Sequence, residues 1–362
     1  MAATTTPWRW IFFVNLPICV LAVALTIAAV EEARQPGAPR PDVPGIALFT
    51  LGAGAVVFGL VRAAADGWAR PAAWGPIVGG FVVLGVWVLV ERRRSEPMLD
   101  LSLFRSRSFT GIMFCALLLN GAAFSASIYT SLWLQSSLGL TPLQGGLVFI
   151  PLSLLSFAVA GGAGRRLQTL PPRIALGGGL LLVGAASLLL ALVNGEASWT
   201  ILVPGLAVLG VGVGMANPTL ASSALAAVPR ERSGMASGAV NTARQLGFAL
   251  GVAVLGSVFT TRATSVLTDA HAPDPSGTAS ALVAGQAGRI IGGAPGEARA
   301  GLAELLGSAY ADGLRWVFLV CGAAGIVGGV VVLLLVNAAA PYHAPQPKRT
   351  TEEPQAEPAG AH

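Results

Sequence analysis

Charge is what this sequence has least of. Only 11% of its 362 residues are Asp, Glu, Lys or Arg, against 54% hydrophobic. Soluble domains carry roughly 25% charged residues, so an ordinary water-facing surface is excluded and a polytopic membrane protein is the natural class. Cysteine is scarce too. Cys19, Cys115 and Cys321 lie far apart in apolar runs, which excludes a disulfide framework and a CxxC motif. The three histidines, His271, His343 and His362, fall in polar segments. With no His, Asp or Glu cluster in the apolar runs, no metal site, no cofactor and no membrane-embedded enzyme is expected. The glycines of "GVGVG" at 210–214 precede no strand pattern, so a dinucleotide reading fails its context. The excess of 22 Lys+Arg over 17 Asp+Glu sits in short loops, where it marks topology and not a nucleic-acid partner.

What the chain has in abundance is apolar length and glycine. A spanning helix needs ~20 mostly apolar residues, and nine runs qualify: 9–30, 44–63, 74–90, 109–134, 142–163, 174–193, 199–226, 234–259 and 314–338. The 46 glycines suit helices that must approach closely in lipid. Lys and Arg orient the spans, because cytoplasmic loops collect them. One alternate set of loops, with the tail, holds Arg34, Arg40, Arg92, Arg93, Arg94, Arg105, Arg107, Arg165, Arg166, Arg173, Arg230, Arg232, Lys348 and Arg349. The other set holds Arg9, Arg62, Arg70, Arg262, Arg289, Arg299 and Arg315. This predicts a cytoplasmic C-terminus. With nine spans, Met1 then falls outside, and no small-residue cleavage site is obvious after the first run. Trp8, Arg9 and Trp10 before that run read as an arrival from an earlier external loop. The expectation is that helices are missing ahead of it; a miscounted span is the alternative.

The 17 carboxylates all avoid the deep parts of the spans. Arg244 is the one charge placed inside one, about three turns in from Arg232. An intramembrane charge is a functional hypothesis by default. Asn241 at i−3 shares its face, and Gln245 follows it. Together they read either as a polar wall or gate of a transport path, or as a cytoplasmic-end anchor that stabilises packing. Asn120 and Tyr129 lie along the span 109–134, with Asn120 deep: a cavity residue or an interhelical hydrogen bond. Asn217-Pro218 sits in the span 199–226, where proline removes a backbone bond; a rocking hinge and a static kink both fit. The GxxxG pairs Gly210/Gly214, Gly247/Gly251 and Gly325/Gly329 predict close helix packing. The segment 260–313 is expected outside, with "ASALVAGQAGRIIGG" and "AGLAELLGSAY" weakly amphipathic and laid on the outer surface. The tail 339–362 is expected to be disordered.

Three stretches resemble a known family. Trp8, Arg9, Trp10, Ile11, Phe12, Asn15, Pro17 and Ile18 are similar to the W-R-W-I-F-x-I-N-x-P-I-G opening of helix six in the fourteen-span drug/proton antiporters of the major facilitator superfamily, with Cys19 in the glycine position. "SGMASGAVNTARQLGFALGVAVLGS" at 233–257 resembles that branch's thirteenth helix, and "PMLDLSLFRSRSF" at 97–109 its linker before helix nine. The gating-loop copy departs: Gly164, Arg165 and Arg173 fit, while Gln168, Thr169 and Pro171 do not.

The resemblance implies an all-α, partial major facilitator fold. Residues 1–30 would end the N-terminal half, 31–108 would carry two extra helices, and 109–338 would form a complete C-terminal six-helix half. It implies a bacterial plasma-membrane efflux transporter of small hydrophobic or cationic molecules, coupled to protons. The coupling carboxylates would belong to the missing part. In that case span 9–30 would lack packing partners and an open groove would mark the docking face. The rival reading is a non-transporting membrane remnant or a subunit of another chain.

Overall fold

The computed structural model describes residues 7–29, 42–66, 71–94, 97–162, 170–193, 198–228 and 232–337. The tail 339–362 and most of the gating-loop copy lie outside the described residues. The chain divides into two units, Met1–Asp42 and Val43–His362. The first contributes one helix, α1 (Pro7–Ala29), which runs through Pro17. Taken by itself, every described side chain from Phe13 to Ala29 is exposed. The side chains of Trp8 and Arg9 lie outside the described residues; Asn15 is exposed on the helix surface.

The second unit is all helix, with no strand among the described residues. It begins with a hairpin of α2 (Val43–Asp66) and α3 (Pro71–Glu91). The next span is α4 (Arg107–Leu119) continued by α5 (Ser125–Ser136), with a π turn over Asn120–Phe124 between them. The pair α6 (Pro142–Val148) and α7 (Ile150–Gly162) is bent by 43°. Pro151 supplies the cause, because it cannot donate to the carbonyl four residues back. Then come α8 (Pro172–Leu190), α9 (Leu202–Ala226) and α10 (Ser233–Asp269). Two short helices follow, α11 (Pro275–Val283) and α12 (Ala287–Gly293), and α13 (Arg299–Leu335) closes the unit. Among the described residues, seven helices are long and apolar enough to span a bilayer, and eight if the bent pair is one span. With the shorter apolar helix Phe13–Ala29, these correspond one to one with the nine apolar runs of the sequence.

Two helices outrun those runs. At 37 residues each, α10 and α13 are about 55 Å long, well beyond the ~30 Å hydrocarbon layer. Neither contains a proline, so nothing stops them at the membrane boundary. The stretch "AGLAELLGSAY" is therefore not a separate surface helix; it is the first third of α13, with Leu306, Ala309 and Tyr310 buried. Ala279, Leu282 and Ala287 of α11 and α12 are buried as well, and α11 packs on α10.

Glycine sets the spacing of the bundle. A Cβ at Gly179 would stand 2.8 Å from the carbonyl oxygen of Gly212, and one at Gly212 would stand 2.7 Å from that of Gly179. Thus α8 and α9 touch backbone to backbone. Gly325 meets Gly184 at 2.6 Å in the same way, joining α13 to α8. Without a hydrophobic effect between helices, such contact is what holds them in lipid.

Candidate functional site

The polar residues of the sequence reading collect on α9 and α10, consecutive helices joined by a short connection. Arg244 lies roughly 16 Å along α10 from Ser233. Its Nη2 donates to Asn217 Oδ1 at 3.2 Å, and both residues are half-buried. A cation this deep is costly unless hydrogen-bonded, and the Asn217 carbonyl answers part of that need. One turn earlier Asn241 is exposed, as are Gln245 and Phe248. The set therefore opens outward from the unit as a polar strip among apolar neighbours. A guanidinium keeps spare donors when one is engaged, so the strip can hold an acceptor group of a passing molecule. Pro218 is exposed, and α9 continues helically through it to Ala226.

The other candidates fall elsewhere. Asn120 opens the π turn; its Nδ2 donates to the Ala116 carbonyl at 3.1 Å, so it steadies the break in its own helix. π turns often accompany functional sites, and this one lies against α10: Ser125 Oγ donates to the Phe248 carbonyl at 3.0 Å. Tyr129, a substrate-path candidate of the sequence, is 3% exposed and packs in the core of the unit. Its hydroxyl donates to the Val252 carbonyl at 2.6 Å, its own carbonyl accepts from Tyr310 at 3.1 Å, and its ring stacks 6.0 Å from Phe259.

The paired glycines are contacts. A Cβ at Gly214 would lie 2.6 Å from the Ser156 carbonyl, and one at Gly251 would lie 2.7 Å from that of Gly121. Gly210 sits against the Leu152 backbone and Gly247 against that of Leu117. They seat α9 on α7 and α10 on α4.

Two features escaped the sequence reading. One is a clamp on the linker before α4. Asp100 pairs with Arg232, its N–H donates to the Met235 sulfur at 3.2 Å, and Leu99 N–H donates to Glu91 Oε1 at 2.6 Å. Asp100 Oδ1 also accepts from Ser102 N–H at 2.8 Å. The Ser102 hydrogen bonds, aided by the Arg232 guanidinium and opposed by partial burial, hold the Asp100 carboxyl below the usual carboxylate range. The other is an apolar cavity of about 730 Å³ beside this clamp, lined by Phe49, Trp87, Phe104, Phe114, Met113 and Met235 among others. Its residues come from four separated segments, and no periodicity in any one of them announces it.

The profile of the Major Facilitator Superfamily matches residues 1–252. The chain is 35% identical to the multidrug resistance protein Stp of Mycobacterium tuberculosis over 255 residues, 69% of this chain and 47% of that protein. It is 34% identical to a probable actinorhodin transporter of Streptomyces coelicolor over 262 residues, 70% and 45% of the two chains. It is 26% identical to the tetracenomycin C resistance and export protein of Streptomyces glaucescens over 348 residues, 94% and 65%. The chain thus spans about half the length of the first two relatives. A family match over more than half the chain, on a bundle of membrane-length helices joined by glycine contacts, establishes that the chain belongs to the Major Facilitator Superfamily.

Proposed function

We propose that this chain forms the C-terminal transport half, with the linker helices, of a drug/proton antiporter of the fourteen-span branch. The half corresponds to residues 109–338 and the linker to 31–108. It is a transporter and not an enzyme: it moves small hydrophobic molecules out of a bacterial cell by alternating access, with protons as the coupling ion. The face carrying Arg92–Arg94, Arg105, Arg107 and Arg232 is cytoplasmic, because basic loops are retained inside. The observation that carries the reading is the Arg244–Asn217 pair. A cation within a span is retained at a cost, and here it is flanked by exposed Asn241 and Gln245 on an otherwise apolar surface. That is the chemistry of a wall between two transport halves. Names among the relatives, multidrug resistance and antibiotic export, point the same way.

The test grafts residues 7–336 in place of the matching segment of the tetracenomycin C resistance and export protein, which aligns over 94% of this chain, in a host lacking efflux pumps. Cells preloaded with ethidium should extrude it on energisation, and an uncoupler should stop extrusion. A graft that reaches the membrane but extrudes no faster than empty cells contradicts the proposal.

A further inference from the structure

Arg244 and Asn241 take one face of α10, and the adjoining face borders something else. Met235, Gly238, Thr242 and Leu246 line the cavity of about 730 Å³ beside the linker clamp. Its floor is bare at Gly234 and Gly238, where a Cβ built on either meets nothing within 4 Å. Pockets for drug-sized molecules run about 300–1,000 Å³, so the volume admits one such guest.

The lining decides what kind of guest fits. It holds no Asp, Glu, Lys, Arg or His. A charge moved there would lose its water without gaining a partner, so the guest is neutral. Its polar groups must also be few. Thr110 Oγ1 already donates to the Phe104 carbonyl at 2.8 Å, which leaves Thr242 as the other hydroxyl of the lining. The walls are rings and sulfurs. Phe49 meets Trp87 edge-on at 5.1 Å, and Phe104 and Phe114 line the cavity with them. Met98, Met113 and Met235 complete a set that outnumbers the four leucines. Rings favour edge-to-face or offset contact with another ring. Methionine adapts its shape to the ligand, and its sulfur favours ring edges. A flat aromatic molecule gains from both preferences and from a floor without side chains; an acyl chain gains from none of them.

We propose that this cavity is a binding site for a neutral, flat aromatic molecule at the junction of the linker and the bundle. The face of the guest lies over Gly234 and Gly238, and its edges meet the Phe and Met side chains. The same site reaches the clamp. Met235 accepts the Asp100 N–H at 3.2 Å, and Met98, Leu99 and Leu101 of that linker belong to the lining. A guest therefore touches both sides of the clamp, and occupancy holds the linker against α10. The site does not include Arg244, Asn241 or Asn217, so it stands or falls independently of the transport reading.

The test is photolabelling of the purified full chain in lipid nanodiscs with 1-azidopyrene, read by peptide mass spectrometry. Label should concentrate on the peptides carrying Met113 and Met235, and excess pyrene should remove it. Methyl palmitate and tetraphenylphosphonium at the same concentration should not. Gly238→Leu, which puts an isobutyl group into the open floor, should weaken the saturable labelling at least about tenfold. Phe114→Ala, at a partly exposed position, should weaken it about fivefold. Pyrene should also slow amide exchange over 99–104 by about threefold or more. Labelling that excess pyrene does not reduce, or that Gly238→Leu leaves unchanged, overturns the proposal, as does exchange over 99–104 that ignores pyrene. Displacement by methyl palmitate overturns it by making the cavity a seat for an acyl chain, and displacement by tetraphenylphosphonium by making it a cation site.

Discussion

Gly177, Gly178 and Gly179 stand in one turn of α8 and face three different surroundings. A Cβ at Gly178 meets nothing within 4 Å. One at Gly177 would lie 2.6 Å from Leu333 Cγ, the flexible end of a side chain, with the Gly329 carbonyl at 3.0 Å. One at Gly179 would lie 2.8 Å from the Gly212 carbonyl and 3.2 Å from the Ala216 backbone nitrogen, neither of which can swing away. Replacing each by alanine gives the same gain in helix propensity, about 0.5–1 kcal/mol, and the same narrowing of the unfolded chain. Differences among the three variants therefore isolate overpacking, which costs typically 1–3 kcal/mol. Gly178→Ala should be neutral or slightly stabilising. Gly177→Ala should fall below it by about 1 kcal/mol, because Leu333 must change rotamer. Gly179→Ala should fall below it by roughly 2–3 kcal/mol, because α8 and α9 must move apart. Reversible unfolding of the purified chain in mixed micelles, read by circular dichroism, gives the three values. If Gly179→Ala and Gly178→Ala agree to within about 0.5 kcal/mol, backbone contact is not what fixes this helix pair.

Arg244→Ala in the graft should cut ethidium extrusion about tenfold or more while membrane protein levels hold; unchanged extrusion with falling levels would make Arg244 a packing anchor. Tyr129→Phe should cost only about 0.6–1 kcal/mol of stability and leave extrusion intact; a transport defect at normal stability would return Tyr129 to the path. Because the Asp100 carboxyl is held below its ordinary range, its contribution to the linker clamp is present above the unfolded carboxylate pKa and is lost only as pH falls through the lowered value. Amide protection over 99–106, corrected for intrinsic rates, should then be flat from pH 8 to 5 and reduced in Asp100→Asn at every pH. A wild-type loss of protection between pH 8 and 5 would count against the clamp.

The helices were legible because apolar length is a strong signal and the loops are charged. The ends of α10 and α13 were not, because the sequence beyond Phe259 and before Leu314 loses its apolar bias without gaining a helix breaker; the first proline after Ser233 is Pro273. The bend between α6 and α7 had its marker in Pro151, whereas the π turn at Asn120 had none. At the candidate site the depth of Arg244 could be read by counting residues, but its partner could not. Asn217 lies 27 positions away on another helix, and only the packing of α9 on α10 joins them. GxxxG likewise announces a close approach without saying to what: Gly247 meets backbone, while Gly234 and Gly238 meet open space.

Transport through this half requires the strip around Arg244 to line a water-filled path inside the membrane. In the graft, with Cys19, Cys115 and Cys321 replaced, Asn241→Cys and Gln245→Cys can be challenged with a membrane-impermeant maleimide. A cysteine at the apolar, exposed Val327 of α13 serves as control. Positions 241 and 245 should react, ethidium should slow the reaction, and 327 should stay unlabelled. Silence at 241 and 245, or labelling that ethidium does not affect, would place the strip against lipid or protein and contradict it.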